Sequence, residues 1–87
     1  MLLLNKVVVI TGASQGIGKG IALGCARTGA KVVIHTLGDA GTTADAIALE
    51  LEIRQLGREA MVVSGDIADP ATSEKVRLFA GLFRQVD

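Results

Sequence analysis

Three short runs of consecutive aliphatic residues punctuate the chain: Val7-Val8-Val9-Ile10, Val32-Val33-Ile34 and Ala60-Met61-Val62-Val63. None alternates with polar residues. A β-branched run of this kind reads as a strand covered on both faces, the usual state in a parallel sheet. Between the runs the apolar positions take up helical spacing. Ile17, Ile21 and Cys25 recur every fourth residue and predict a helix reaching about Thr28, with those three side chains on its apolar face. Ala46, Leu49, Ile53 and Leu56 predict a second helix, and Val76, Phe79, Ala80 and Phe83 line one face of a third.

The punctuation between these segments agrees with the periods. Gly29 and Gly57 fall just past the last periodic residue of the first two helices, where a left-handed C-cap is expected. Gly38-Asp39-Ala40-Gly41 reads as loop, and Thr42 with Asp45 resembles a capping box. Asp69-Pro70 supplies an N-cap followed by proline at the first helical position. The predicted order is β-α-β-α-β-α. Such alternation implies a parallel sheet with right-handed crossovers, the first half of a Rossmann-type doubly wound α/β fold. Residues 1–87 are expected to form that N-terminal half alone, with the rest of the domain lying beyond them.

Composition narrows the function classes. Hydrophobic residues make up 49% of the 87, too many for a disordered chain. Nine basic residues balance nine acidic ones, and there is no Trp or Tyr, so no cationic stripe or aromatic platform exists to hold a nucleic acid. One Pro and one Cys exclude collagen-like and disulfide-stapled scaffolds, and a single Cys fits a reducing cytoplasm. Met1-Leu2-Leu3-Leu4-Asn5-Lys6 lacks the basic start of a signal peptide, and no apolar run approaches a membrane span. A cytoplasmic location with no membrane partner is the expectation.

The most informative segment is Thr11-Gly12-Ala13-Ser14-Gln15-Gly16-Ile17-Gly18, which leaves the first strand and opens the first helix. Ligands of open α/β sheets bind beyond the C-terminal strand ends, where this segment lies. A pyrophosphate must approach the main chain closely. Gly12 and Gly16 remove the Cβ atoms that would obstruct it, and Gly18 lets the helix pack tightly on the strand. Free N–H groups and the positive helix end then face the anion, with the Ser14 hydroxyl as a further donor. The competing reading, a glycine-rich turn without a ligand, is disfavoured by the strand–turn–helix context. A nucleoside-triphosphate loop fits poorly on mechanism: in the frame ending Gly18-Lys19, Ala13 replaces the first glycine and Gly20 the metal-binding hydroxyl.

These residues resemble the short-chain dehydrogenases/reductases. Thr11 to Gly18 matches that family's T-G-x-x-x-G-x-G pattern, and Gly65-Asp66-Ile67-Ala68-Asp69-Pro70 is similar to its segment after the third strand. The resemblance implies that Gly12, Ser14, Gln15, Gly16, Ile17 and Gly18 surround a dinucleotide's pyrophosphate and ribose. It further implies that Asp66 accepts a hydrogen bond from the adenine amino group, with Ile67 beside the ring; a turn-forming Asp is the alternative.

Choice between NAD and NADP falls just after the second strand, at His35-Thr36-Leu37-Gly38-Asp39. An acid there holds the ribose hydroxyls of NAD, and an arginine accommodates the 2′-phosphate of NADP. Thr36 occupies the register of the acid and Leu37 that of the arginine. Both selectors are therefore missing, and the absence of a repelling carboxylate favours NADP or dual use.

The family's catalytic Asn, Ser and Tyr-x-x-x-Lys cannot be placed here, so no catalytic residue is assigned. A third crossover helix also has no strand to deliver. The chain is therefore expected to be the cofactor-binding segment of a longer NAD(P)-dependent oxidoreductase, exchanging a hydride between nicotinamide and an alcohol or carbonyl substrate. Its opening residues look similar to sugar dehydrogenases of the family. A 3-oxoacyl thioester reductase and a truncated, non-catalytic dinucleotide-binding module are the alternatives. The resemblance implies a small-molecule substrate and a homo-oligomer, commonly a tetramer. Cys25, Phe79 and Phe83 read as core, no metal site is expected, and Glu50, Glu52, Arg54, Arg58 and Glu59 read as a solvated face.

Overall fold

A computed structural model describes residues 3–12, 16–66 and 68–84. The elements follow the predicted order: β1 (Val7–Thr11), α1 (Gly16–Arg27), β2 (Lys31–Thr36), α2 (Ala40–Gln55), β3 (Ala60–Ser64) and α3 (Pro70–Arg84). The strands form one parallel sheet in the order β1-β2-β3. Thr11 pairs with His35, and His35 in turn with Val63, so these three residues form one row near the C-terminal rim.

The helices divide between the two faces of the sheet. Ala22 and Ala26 of α1 and Ala46, Leu49 and Ile53 of α2 pack on Val32 and Ile34. On the opposite face Phe83 of α3, supported by Val76, Phe79 and Ala80, packs on Val33 and Val63. Alternate β2 residues therefore serve the two cores, and all six residues of β2 are buried. Each fully buried Leu or Ile contributes about 1.5–3 kcal/mol, so Leu49, Ile53 and Ile34 anchor the larger cluster. This is the doubly wound arrangement expected from the sequence.

Several sequence-based details change. β1 is only half covered, with Val9 40% exposed, because it pairs with β2 alone among the described residues. The buried face of α1 is rotated by about one residue, or 100°, from the Ile17–Ile21–Cys25 face. Ala22 and Ala26 are fully buried and Gly18 half-buried, whereas Ile17 is 84% exposed and Ile21 52%. A helix leaving a strand through a tight glycine turn lies close to the sheet, where only small residues fit. Cys25 is half-buried against the same cluster.

α2 begins two residues before the expected capping box. Asp39 is its N-cap, accepting the Thr42 N–H on Oδ1 at 2.8 Å. That bond holds the Asp39 carboxyl below its ordinary pKa. Leu56, expected on the apolar face, is the C-cap residue and 43% exposed. Asp69 caps α3 as expected, taking the Ala71 N–H at 2.9 Å.

The charged cluster is more than a solvated face. Arg58 Nε donates to the Ala26 carbonyl at 3.1 Å and Arg54 Nη2 to the Ala60 carbonyl at 2.8 Å. Glu59 lies 3.6 Å from the ammonium of buried Lys31. Lys31 Nζ also donates to the Phe83 carbonyl at 3.2 Å, tying β2 to the last turn of α3. The same ammonium stands 5.9 Å from the Phe83 ring centroid, within cation–π range. These contacts close the N-terminal rim of the sheet, around a cleft of about 180 Å³ bounded by Gly29, Gly57, Arg58 and Glu59 among others.

Candidate functional site

The sequence-predicted residues converge on the opposite, C-terminal rim. β1 ends at Thr11, and the Gly12 N–H donates to the His35 carbonyl at 3.1 Å. On the other side of β2, the Gly65 N–H donates to the Thr36 carbonyl at 3.0 Å. The last two carbonyls of β2 thus tie down the start of the glycine loop and the loop after β3.

Gly12 and Gly16 adopt φ of +64° and +58°, conformations that favour glycine, and among the described residues nothing beyond the adjoining chain lies within 4 Å of the place where a Cβ would stand on either. No packing by the described residues fills that space. Gly16 begins α1, whose first turn carries no acidic side chain to neutralise the positive helix end. The first-turn N–H groups have no partner within the helix. Ser14, Gln15 and Ile67 lie outside the described residues.

β2 contributes His35 and Thr36, which point to opposite faces of the sheet. Both are buried, at 3% and 2% exposure, yet His35 Nδ1 and Thr36 Oγ1 have no hydrogen-bond partner among the described residues. An orphaned buried polar atom costs about 1–3 kcal/mol, so each of the two, on its own face of the sheet, would be stabilised by a polar partner. Leu37 is 65% exposed and adds no charge. Asp39, the first carboxylate after β2, is committed to capping α2.

After β3 the chain turns at Gly65, with φ +139° and a would-be Cβ only 2.5 Å from Thr72 Oγ1. Asp66 follows at the surface, its Oδ1 accepting the Ala68 N–H at 2.9 Å. Asp66 is therefore a turn former here, as the alternative reading of the sequence expected. Sequence reasoning missed the bond from His35 to Gly65, described below. Thirty residues separate the two, so no local pattern could reveal it.

A glycine ledge, a positive helix end and unpaired polar groups on the same rim have the chemistry to accept a dinucleotide. Comparison with known proteins gives the family. A family model described as short chain dehydrogenase matches residues 6–86. The chain belongs to the short-chain dehydrogenase family.

It is 46% identical over 76 residues to L-rhamnose 1-dehydrogenase (NAD(P)(+)) of Azotobacter vinelandii, covering 87% of this chain and 30% of that protein. To 3-oxoacyl-[acyl-carrier-protein] reductase of Synechocystis it is 42% identical, covering 77% of this chain and 26% of the relative. Among solved structures, a blue fluorescent protein from a metagenomic library in complex with NADPH superposes with a TM-score of 0.88 at 33% identity. That match covers 100% of this chain and 35% of the other. A short chain dehydrogenase from Burkholderia cenocepacia in complex with NADP superposes at a TM-score of 0.80 and 36% identity, covering 93% of this chain and 32% of that one. The chain thus spans about 30% of the length of the curated relative from Azotobacter. No helix among the described residues is long and apolar enough to cross a membrane.

Proposed function

We propose that this chain is the cofactor-binding portion of an NAD(P)-dependent oxidoreductase acting on a small alcohol or carbonyl substrate, with a sugar of the L-rhamnose kind as the leading class. The observation that carries the reading is the open main-chain ledge at Gly12 and Gly16 ahead of an uncompensated helix N-terminus. When bound, a nicotinamide dinucleotide supplies hydride exchange. The chain's own part is to bind and orient it. Gly12 and Gly16 admit the pyrophosphate, with Ser14, Gln15, Ile17 and Gly18 around it. His35, Thr36 and Leu37 border the adenosine ribose, and Asp66 with Ile67 flanks the adenine.

The cofactor preference is NADP or both forms. No carboxylate stands at the end of β2 to repel a 2′-phosphate, and the Thr36 hydroxyl has a hydrogen bond to give. The name of the Azotobacter relative includes both forms, and the two solved neighbours hold NADPH and NADP. A second reading, reduction of a 3-oxoacyl thioester, is favoured by the Synechocystis relative.

The test is an assay of the complete protein with L-rhamnose and each oxidised cofactor, following reduced nicotinamide by absorbance, and in parallel with a 3-oxoacyl thioester and each reduced cofactor. Turnover of the sugar supports the leading reading, and turnover of the thioester alone selects the second. If neither cofactor binds, both readings fall.

A further inference from the structure

The His35 ring ties the end of β2 to the loop after β3, while its main-chain carbonyl accepts the Gly12 N–H of the glycine loop. Its Nε2 lies 2.7 Å from the Gly65 carbonyl oxygen. A carbonyl only accepts, so Nε2 carries the proton and donates. In the neutral ring Nδ1 is then a lone-pair acceptor, buried and without a protein partner among the described residues. The Gly65 N–H is further held by the Thr36 carbonyl at 3.0 Å, and the Thr72 side chain occupies the space where a Cβ on Gly65 would stand. The next residue is Asp66.

We propose that His35 is a positioning residue. Its Nε2–H fixes the Gly65 peptide and so sets where Asp66 stands relative to the end of β2, which governs binding of the adenosine half of the cofactor and leaves the nicotinamide half untouched. The inference rests on the cofactor reading above. It assigns His35 a role in the specificity of the adenine end, distinct from chemistry at the substrate.

The experiment compares His35→Leu, which removes the donor, with His35→Gln, whose side-chain amide can return an N–H at similar reach. Each is made in the complete protein and titrated with adenosine 2′,5′-bisphosphate and with nicotinamide mononucleotide. Loss of one hydrogen bond of this kind predicts that H35L binds the adenosine probe about five- to tenfold more weakly. H35Q is expected within about twofold of wild type, with the nicotinamide probe unchanged in both. Equal loss of both probes, or no loss of the adenosine probe, overturns the proposal. Nitrogen-15 spectra of the wild-type ring give a check that no variant can spoil: a neutral ring protonated on Nδ1 would mean that the bond to Gly65 does not exist. Failure of the wild type to bind either probe would instead refute the cofactor reading.

Discussion

The two rims of the sheet treat polar groups in opposite ways. At the N-terminal rim they are spent on the fold: Lys31 holds the end of α3, Arg58 holds a carbonyl in the last turn of α1, and Arg54 holds the carbonyl of the first residue of β3. Glu59 Oε2, without a hydrogen bond of its own, still stands 3.6 Å from the Lys31 ammonium. At the C-terminal rim two buried polar atoms have no partner among the described residues, and no described side chain packs where a Cβ would stand on two glycines. A fold tolerates such deficits where a ligand supplies the missing partner. On the proposed cofactor reading, the contrast separates residues that hold the domain together from residues reserved for binding.

Paired glycines offer the strongest way to break the comparison. Gly16 and Gly57 both adopt positive φ with nothing packed near the missing Cβ among the described residues, but they belong to opposite rims. Gly16→Val and Gly57→Val should lose similar stability, about 1–2 kcal/mol each by chemical denaturation. Only G16V should lose cofactor affinity, by about a hundredfold or more. Equal affinity in the two variants would erase the distinction between the rims.

Gly65 tests the loop after β3. Gly65→Ala places a methyl against Thr72 at a backbone angle that only glycine readily adopts, and should cost about 2 kcal/mol. Adding Thr72→Ala should recover part of that loss, because it removes the Oγ1 atom 2.5 Å away. A smaller effect comes from exchanging one polar group on each rim. Lys31→Met should cost about 1–2 kcal/mol while leaving cofactor affinity intact. Thr36→Val should leave stability unchanged or raise it by up to about 1 kcal/mol, yet weaken NADP binding by about fivefold. A cofactor defect in K31M would show that the rims are coupled.

The smallest effect is at Asp39. Its folded-state pKa is lowered, so its contribution to stability is present above the unfolded pKa and lost as pH falls through the folded value. Melting curves of wild type and Asp39→Ala should differ at neutral pH and converge in acid. A difference that persists below the carboxylate range would mean that the cap works by packing and not by charge.

Much of this organisation was legible in the chain. Strand runs without polar alternation located all three strands, and the Val76–Phe79–Ala80–Phe83 face packs as its spacing requires. The glycine pattern located the ledge. What failed was the α1 face, because a period scored on bulk hydrophobicity favours Ile over Ala, whereas close approach to the sheet selects small residues. The Asp39 cap lost to a more conspicuous Thr-x-x-Asp pattern three residues on. The ties from Lys31 to Phe83 and from His35 to Gly65 span 52 and 30 residues. They exist only once the sheet is assembled, so no local rule exposes them.

Gly18, Ala22 and Ala26 also act as a spacer of minimum thickness under α1. Because that helix is clamped low along three turns, a bulkier residue at its far end would pivot the whole rod and lift its opening amides away from the sheet. On the proposed cofactor reading, enlarging Ala26, at the far end of the helix from Gly16, would weaken anion capture through leverage alone.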